Sequence, residues 1–411
     1  MPVELPIDGS EIERPSTPTV IIWLSLFVIC LVGGVVVTIL TWPKNEPTET
    51  PWFWIKLIGF PMLAWCLLFG LRLHFYEEES NRLAAEDEVR QADRQQAIEF
   101  ASEPLGVLDF AYICEFGMDG LAGAVLKKKC LLVAQKPKPD MPAIRHTALR
   151  ELADAKLPER ARSVFMRMLT KLEDALRAIP ARVPFEVCLQ LPSDVDPVPF
   201  LNVWETCWEE RSFRPARAAP VPTDEGLMTL DSWLDVYGGT DLEKITLFVA
   251  LQLYADPPEN SAEAAVALLL GWAPMMERHD LAPVAMLHRP VQCESNALAY
   301  GIRTAAMWGG ATPAGLNHLW QSGLSHEDKA SVLIGASEVA LGVVQDEKLT
   351  GVHDIDTALG HVGASAAWFA VALAIEGSMH GNEPQLIVCR EGAMRMTVLR
   401  PAVQQYETET V

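Results

Sequence analysis

The chain has 411 residues, 50% of them hydrophobic and 21% charged, which excludes a disordered or collagen-like protein and is more than one ordinary domain requires. Thirty-three Lys and Arg against fifty-four Asp and Glu leave a net charge of -21, which repels phosphate backbones and sets nucleic acid aside as a partner. The mean hydropathy of +0.14 owes much to two apolar runs near the N-terminus.

Residues 1–18 form a short acidic tail containing Glu4, Asp8, Glu11 and Glu13. From Thr19 to Trp42 no charge appears, enough helix to cross a hydrocarbon core of roughly 30 Å. Trp23 and Trp42 lie near the ends of this run, where indoles favour the headgroup region, and Pro43 stops it. A second apolar run, residues 52–72, carries Lys56 near its start and Pro61 inside; a lysine can snorkel, and a neighbouring helix can support a kink. A cleaved signal peptide is the rival reading of the first run, but the acidic tail replaces the basic n-region that such a peptide needs. The expectation is a transmembrane hairpin, residues 19–42 and 52–72. Counting Lys and Arg alone, Arg14 precedes it, Lys44 lies in its loop, and Arg72, Arg82 and Arg90 follow, so both termini are expected in the cytoplasm. Eight cysteines scattered without paired spacing suit a reducing compartment.

Residues 73–102, rich in Glu, Gln, Ala and Arg, read as a helical stalk with a solvated face. Beyond them the expectation is a two-part α/β region: an N-terminal domain over 103–213, a Pro- and Ala-rich linker over 214–226 and a C-terminal domain over 227–400. Leu131–Gln135 and Phe185–Leu191 read as strands, and Phe165, Met168, Leu169, Leu172 and Leu176 as the core face of a helix. Asp196 can cap a helix whose apolar stripe includes Phe200, Trp204, Cys207 and Trp208. Helical spacing is chiefly a packing signature, yet Trp204 and Trp208 are also partner-binding candidates, because tryptophan is enriched at interface hot spots.

In the second half, Lys244–Asp256 and Ala282–Gln292 have strand-like apolar centres. Ser261 could cap an Ala-rich helix from Ala262, and Ser325 with Asp328 resembles a capping box. His353, Asp354, Asp356 and His361 could in principle ligate zinc or manganese, but no metal-site spacing supports this, and a hydrated loop is the plainer reading. No GxxxxGK[ST], GxSxG or GxGxxG motif is present, and no metal or cofactor is expected.

The segment DTALGHVGASAAWFAVALAIEG, Asp356–Gly377, resembles the Gly-His turn of ketosynthase and thiolase-like enzymes, with PQLIVCREGAMRMTVLRP as the closing strand pair. The resemblance implies that His361 matches a catalytic histidine acting with a cysteine at the N-terminus of a buried helix, where the helix dipole favours thiolate. Cys293, expected at the head of a helix ending in Gly309-Gly310, is the candidate nucleophile. A polar turn capping an Ala-rich helix is the plainer reading, and the scaffold is then degenerate thiolase-like without catalysis.

The whole layout, with ALAYGIRTAAMWGGATPAGLNHLW and GHVGASAAWFAVALAIEG in its C-terminal part, resembles the type VI lipase adapter proteins, accessory proteins of type VI secretion. This resemblance implies a non-catalytic adaptor on the bacterial inner membrane that binds a lipase effector in the cytoplasm and helps load it onto the secretion spike protein. The alternatives are a thiolase-like acyl-transfer enzyme using Cys293 and His361, and a structural inner-membrane assembly protein whose Gly33, Gly34 and Gly59 let helices approach closely.

Overall fold

The computed structural model describes residues 16–44, 46–130, 132–137, 142–149 and 155–402, in two units that divide at Ala97 and Ile98. In the first unit, α1 (Val20–Thr41) is followed by Pro51–Trp54, a π-helical turn at Ile55–Gly59 and the long helix α2, Phe60–Ser102. Both helical stretches are long and apolar enough to cross a membrane. Val20, Ile21 and Leu40 are 74%, 77% and 79% exposed, unlike the residues of a buried core helix. The π-turn ends two residues before Pro61, which has no N–H to give to the regular ladder. Gly34 lets the helices close at that proline: a Cβ on it would lie 2.0 Å from Pro61 Cγ. The Trp65 indole N–H donates to the Trp23 carbonyl at 2.9 Å, and Lys56 Nζ sits 5.5 Å from the rings of both Trp42 and Trp52. The expected stalk is the continuation of α2.

In the second unit the elements are β1 (Leu105–Ile113), α3 (Leu157–Lys171), β2 (Phe185–Gln190), α4 (Pro197–Glu210), β3 (Ala218–Val221), α5 (Met228–Leu234), β4 (Ile245–Gln252) and β5 (Ala264–Trp272). There follow β6 (Ala285–Leu287), β7 (Val291–Cys293), α6 (Leu298–Trp308), β8 (His318–Ser322), α7 (His326–Glu338), β9 (Val352–Asp354), α8 (Ala366–Gly381), β10 (Gln385–Glu391) and β11 (Ala393–Pro401). The strands join in the order β9-β8-β10-β11-β6-β1-β5-β4-β2-β3, with β7 paired to β11. A smaller sheet joins Ala134–Gln135, Ile144–Thr147 and Ser261–Ala262.

That order is a duplication. Numbered within its own half, each side runs third, second, fourth, fifth, first, and the two first strands, β1 and β6, meet antiparallel at the seam. Pairing directions match as well: second with third and second with fourth are parallel, fourth with fifth and fifth with first antiparallel. The helices correspond in turn, α3 with α6, α4 with α7, and α5 with α8. Along β5, Ala264, Val266, Leu268 and Leu270 face a central core shared with α5 and α8, whereas Ala265, Ala267 and Leu269 face α3 and α4. Such a strand is apolar throughout because both faces are covered.

Several expectations change here. The supposed linker contributes β3, a parallel partner of β2, so 103–213 and 227–400 are not separate domains; β4 and β5 belong to the first half's sheet. Ser261 does not cap a helix, because the Ala-rich run after it is the doubly buried strand β5, which periodicity alone cannot separate from a buried helix. Only Ala134–Gln135 of the strand expected at 131–135 forms one, and Leu131 lies outside the described residues. Trp204 and Trp208 are 1% and 4% exposed, packed with Phe165, Phe185 and Phe213, so they are core and offer no partner surface. Asp196 does cap α4 through the Val198 N–H, and Ser325 with Asp328 forms the capping box on α7.

Candidate functional site

The parallel strands β8, β9 and β10 point their carboxyl ends at one cleft of about 620 Å³, in which His361, Asp356, Lys329, Ser325 and Arg145 line the wall. Open α/β sheets commonly bind ligands at such ends. The backbone of His361 is clamped on both sides: its N–H donates to the Asn260 carbonyl at 2.8 Å, and its carbonyl accepts the Ala262 N–H at 2.9 Å. Gly360 makes this approach feasible with φ +104°, and a Cβ there would fall 2.4 Å from the Ser261 carbonyl oxygen. The imidazole itself is 53% exposed, with Nδ1 3.8 Å from Asp356 Oδ1.

Asp356 organises the wall. Its Oδ2 accepts the N–H groups of Gly323 at 2.8 Å and Leu324 at 3.3 Å, and Lys329 Nζ lies 4.0 Å away while making its closer pair with Asp354 at 2.8 Å. Asp328 accepts the next amide, Ser325 N–H, at 3.1 Å. Although burial opposes it, hydrogen bonds from Arg390 and Ser325 hold the Asp328 carboxyl below its usual range. Three successive amides that face the cleft are therefore already engaged by carboxylates, and none of the three is left to stabilise an oxyanion.

Cys293 is not where the sequence places it. It ends strand β7, and α6 begins only at Leu298, because Glu294–Ala297 form a turn closed by the Ala297 N–H on the Glu294 carbonyl. Its Sγ lies against Gly301, in the same apolar cluster as Met396, and burial, then the charge of Glu294, pushes the thiol up to about 11. Among the described residues no hydrogen bond or ion pair joins it to His361. The other cysteines of this unit occupy the end of β1, a loop, β2, the last turns of α4 and β10, so none heads a helix.

The duplication locates the counterpart of the Gly-His turn. That turn precedes α8; the equivalent segment, Pro222–Leu227, precedes α5 and holds no thiol. The buried Glu391 carboxylate from the end of β10 accepts the Leu227 N–H at 3.0 Å, and Arg395 grips Glu391 at 2.6 Å, the Glu225 carbonyl at 2.8 Å and the Asp224 carbonyl. Neither Glu391 nor Arg395 carries a signal in the sequence, since only the folded hairpin β10–β11 brings them to this loop.

Of the residues considered for a metal, His353 turns away from His361: its Nε2 pairs with His318 Nδ1 at 2.9 Å, while Asp354 caps the short helix Ile355–Leu359. Among the described residues no three metal-ligating side chains converge.

No family model matches the sequence, and no curated protein matches it. In structure the chain is similar to the ketosynthase from module 6 of the bacillaene synthase from Bacillus subtilis 168, at 11% identity over 73% of this chain and 72% of that one, TM-score 0.53. It is similar also to the ketosynthase from module 1 of the bacillaene synthase from Bacillus amyloliquefaciens FZB42, at 12% identity, 74% and 76% coverage and TM-score 0.51. The ishigamide ketosynthase/chain length factor matches at 13% identity, 72% and 99% coverage and TM-score 0.50. At such identities the likeness establishes a thiolase/ketosynthase-like fold. The likeness to type VI lipase adapter proteins receives no support from these comparisons.

Proposed function

We propose that this chain is a membrane-anchored thiolase-like protein that binds an acyl thioester at the His361 cleft, with the imidazole donating a hydrogen bond to the ligand's carbonyl and without a covalent bond to cysteine. The observation that carries the reading is the exposed His361 side chain on a backbone fixed from two sides, over an open cleft in a fold similar to ketosynthases. At 3.8 Å Asp356 Oδ1 is too far from Nδ1 for a hydrogen bond, so the ring proton can sit on Nε2 and be donated into the cleft. The hairpin would hold the cleft near a membrane and raise the local concentration of anything delivered there.

The test is calorimetric titration of the detergent-solubilised full chain with octanoyl-coenzyme A, paired with intact-mass measurement. Binding that falls at least tenfold in His361→Ala, with no mass increase, supports the reading. An acyl adduct on Cys293 would instead establish acyl transfer, and absence of binding would end both.

A second reading is favoured by the engagement of all three amides at 323–325 and the misplacement of Cys293: a non-catalytic adaptor. By the sequence resemblance its partners would be a lipase effector and a secretion spike protein at the inner membrane, and its net charge of -21 would suit a basic patch on the partner. A pull-down with the full chain that recovers the same proteins with wild type and His361→Ala supports it; recovery of none rejects it.

A further inference from the structure

We infer that the N-terminal helical hairpin carries a site for one anionic phospholipid, with its phosphate at Arg72 and an acyl chain along α1; this rests on the membrane-anchored reading above. The site lies within the first unit. A groove of about 610 Å³ runs from residues 16–19 down one side of α1, with Arg72 of α2 at its mouth. It shares no lining residue with the His361 cleft.

The depth of the site follows from how the helices are pinned. Thr19 opens the first uncharged run and Arg72 closes the second apolar run. The Trp65 indole N–H holds the Trp23 carbonyl at 2.9 Å, and Trp23 meets Phe69 edge-on at 5.2 Å, which fixes these two ends beside each other. Arg72 Nη2 then donates to the Ser16 carbonyl at 3.2 Å, drawing the guanidinium across the mouth of the groove. In a bilayer spanned by this hairpin, that level is the boundary where phospholipid phosphates lie.

The pairing of Arg72 is incomplete. Of the five N–H donors of a guanidinium, Ser16 takes one, Nη1 has no acceptor, and no carboxylate pairs with Arg72 among the described residues. Further along α2, Glu78 pairs with His74 at 3.3 Å and Glu79 with Arg82 at 2.7 Å. Glu77, five residues on from Arg72, lies about 140° round the helix. The Nη2 edge is exposed, so a ligand oxygen reaches it without breaking an ion pair. Ser16, Thr17 and Thr19 add hydroxyls at the rim, and that of Thr19 makes no cap bond to α1. Guanidinium and phosphate form charge-assisted bonds, among the stronger polar contacts.

The rest of the groove is apolar. Ile22, Leu26 and Ile29 follow at helical spacing along α1 and line it together with Ile21, over about 12 Å of helix axis. Ile22 and Ile29 are 64% and 65% exposed, so no described residue covers them. A phosphate joined to an acyl chain matches this order of charged mouth and apolar wall, whereas a free phosphate would leave the wall bare.

The experiment is native mass spectrometry of the full chain, reconstituted in vesicles of equal parts dioleoylphosphatidylglycerol and dioleoylphosphatidylcholine and released in mild detergent. One phosphatidylglycerol should be retained at least threefold over phosphatidylcholine. That preference should vanish in Arg72→Gln, persist in Arg72→Lys and in excess inorganic phosphate, and weaken threefold or more in Ile22→Trp, which fills the groove. Flotation of the same vesicles reads insertion separately. A chain that does not float refutes the membrane-anchored reading and the site with it. A chain that floats but retains both lipids equally, keeps its preference in Arg72→Gln, or loses the lipid to inorganic phosphate overturns the site alone.

Discussion

Glu391 accepts the Leu227 backbone N–H at 3.0 Å and thereby fills, with its own carboxylate, the head of α5, the position that the duplication pairs with the turn bearing His361. A cysteine-dependent thiolase-like enzyme needs a thiolate at the head of a buried helix. Here an internal anion fills the duplicated position. Gly226 shows how tight the arrangement is, since a Cβ on it would lie 2.0 Å from Glu391 Oε2.

Arg395 and Glu391 are 5% and 7% exposed, and removing one partner of the pair leaves an uncompensated buried charge. Glu391→Ala should cost about 3 kcal/mol in urea unfolding, the range usual for breaking a buried pair. The double variant Glu391→Leu, Arg395→Met should regain most of that loss. Equal stability of wild type and Glu391→Ala would show that the loop is not held from β10.

Trp204 meets Phe165 edge-on at 5.1 Å and Trp208 at 5.9 Å within the core under α3 and α4. Trp204→Ala should destabilise the protein by roughly 3 to 5 kcal/mol, as large-to-small changes at buried aromatics do. Thermal unfolding followed by circular dichroism measures it. An unaltered melting temperature together with weakened partner binding would return Trp204 to the interface.

Gly360→Ala places a methyl group against the Ser261 carbonyl at a backbone angle that costs an L-residue about 1 to 3 kcal/mol. The expected result is that loss in urea unfolding, together with weaker ligand binding at His361, because the clamp on the next residue shifts. Retention of full stability would mean that the turn relaxes without difficulty.

Burial, then the neighbouring His318, pushes the His353 imidazole down to about 3. The unfolded chain takes up that proton near pH 6.5 and the folded one does not, so between these values the unfolded state binds more protons. Stability is complete above pH 6.5 and falls as the pH drops toward 3, by about 1.4 kcal/mol per pH unit for this histidine. His353→Gln should show a shallower decline between pH 6 and 5 in urea titrations. Identical slopes would show that His353 is protonated in the folded protein.

Much of the local structure was legible. The uncharged stretch 19–42 predicts α1 by length alone, and Asp196, Ser325 and Asp328 announce their helix starts because capping is a matter of a few neighbouring residues. The Gly-His turn, the Ala-rich helix α8 and the hairpin β10–β11 also follow in the expected order. The Ala-rich run from Ala262 is not legible as a strand because a strand covered on both faces loses its alternation, and Cys293 is not legible as a strand end because one turn separates it from the next helix.

By itself the sequence determined the membrane-length helices, the α/β class and the presence of His361 in a glycine-bounded turn, all of which rest on residues within a few positions of one another. Only the tertiary structure decided which side chains share a site. It joined Asp356 to the amides of 323 and 324, set Arg160 against Glu263, brought Glu391 to Leu227 and kept Cys293 from the head of a helix. Those pairings depend on a strand order that crosses between distant segments, and no local pattern encodes which strand lies beside which.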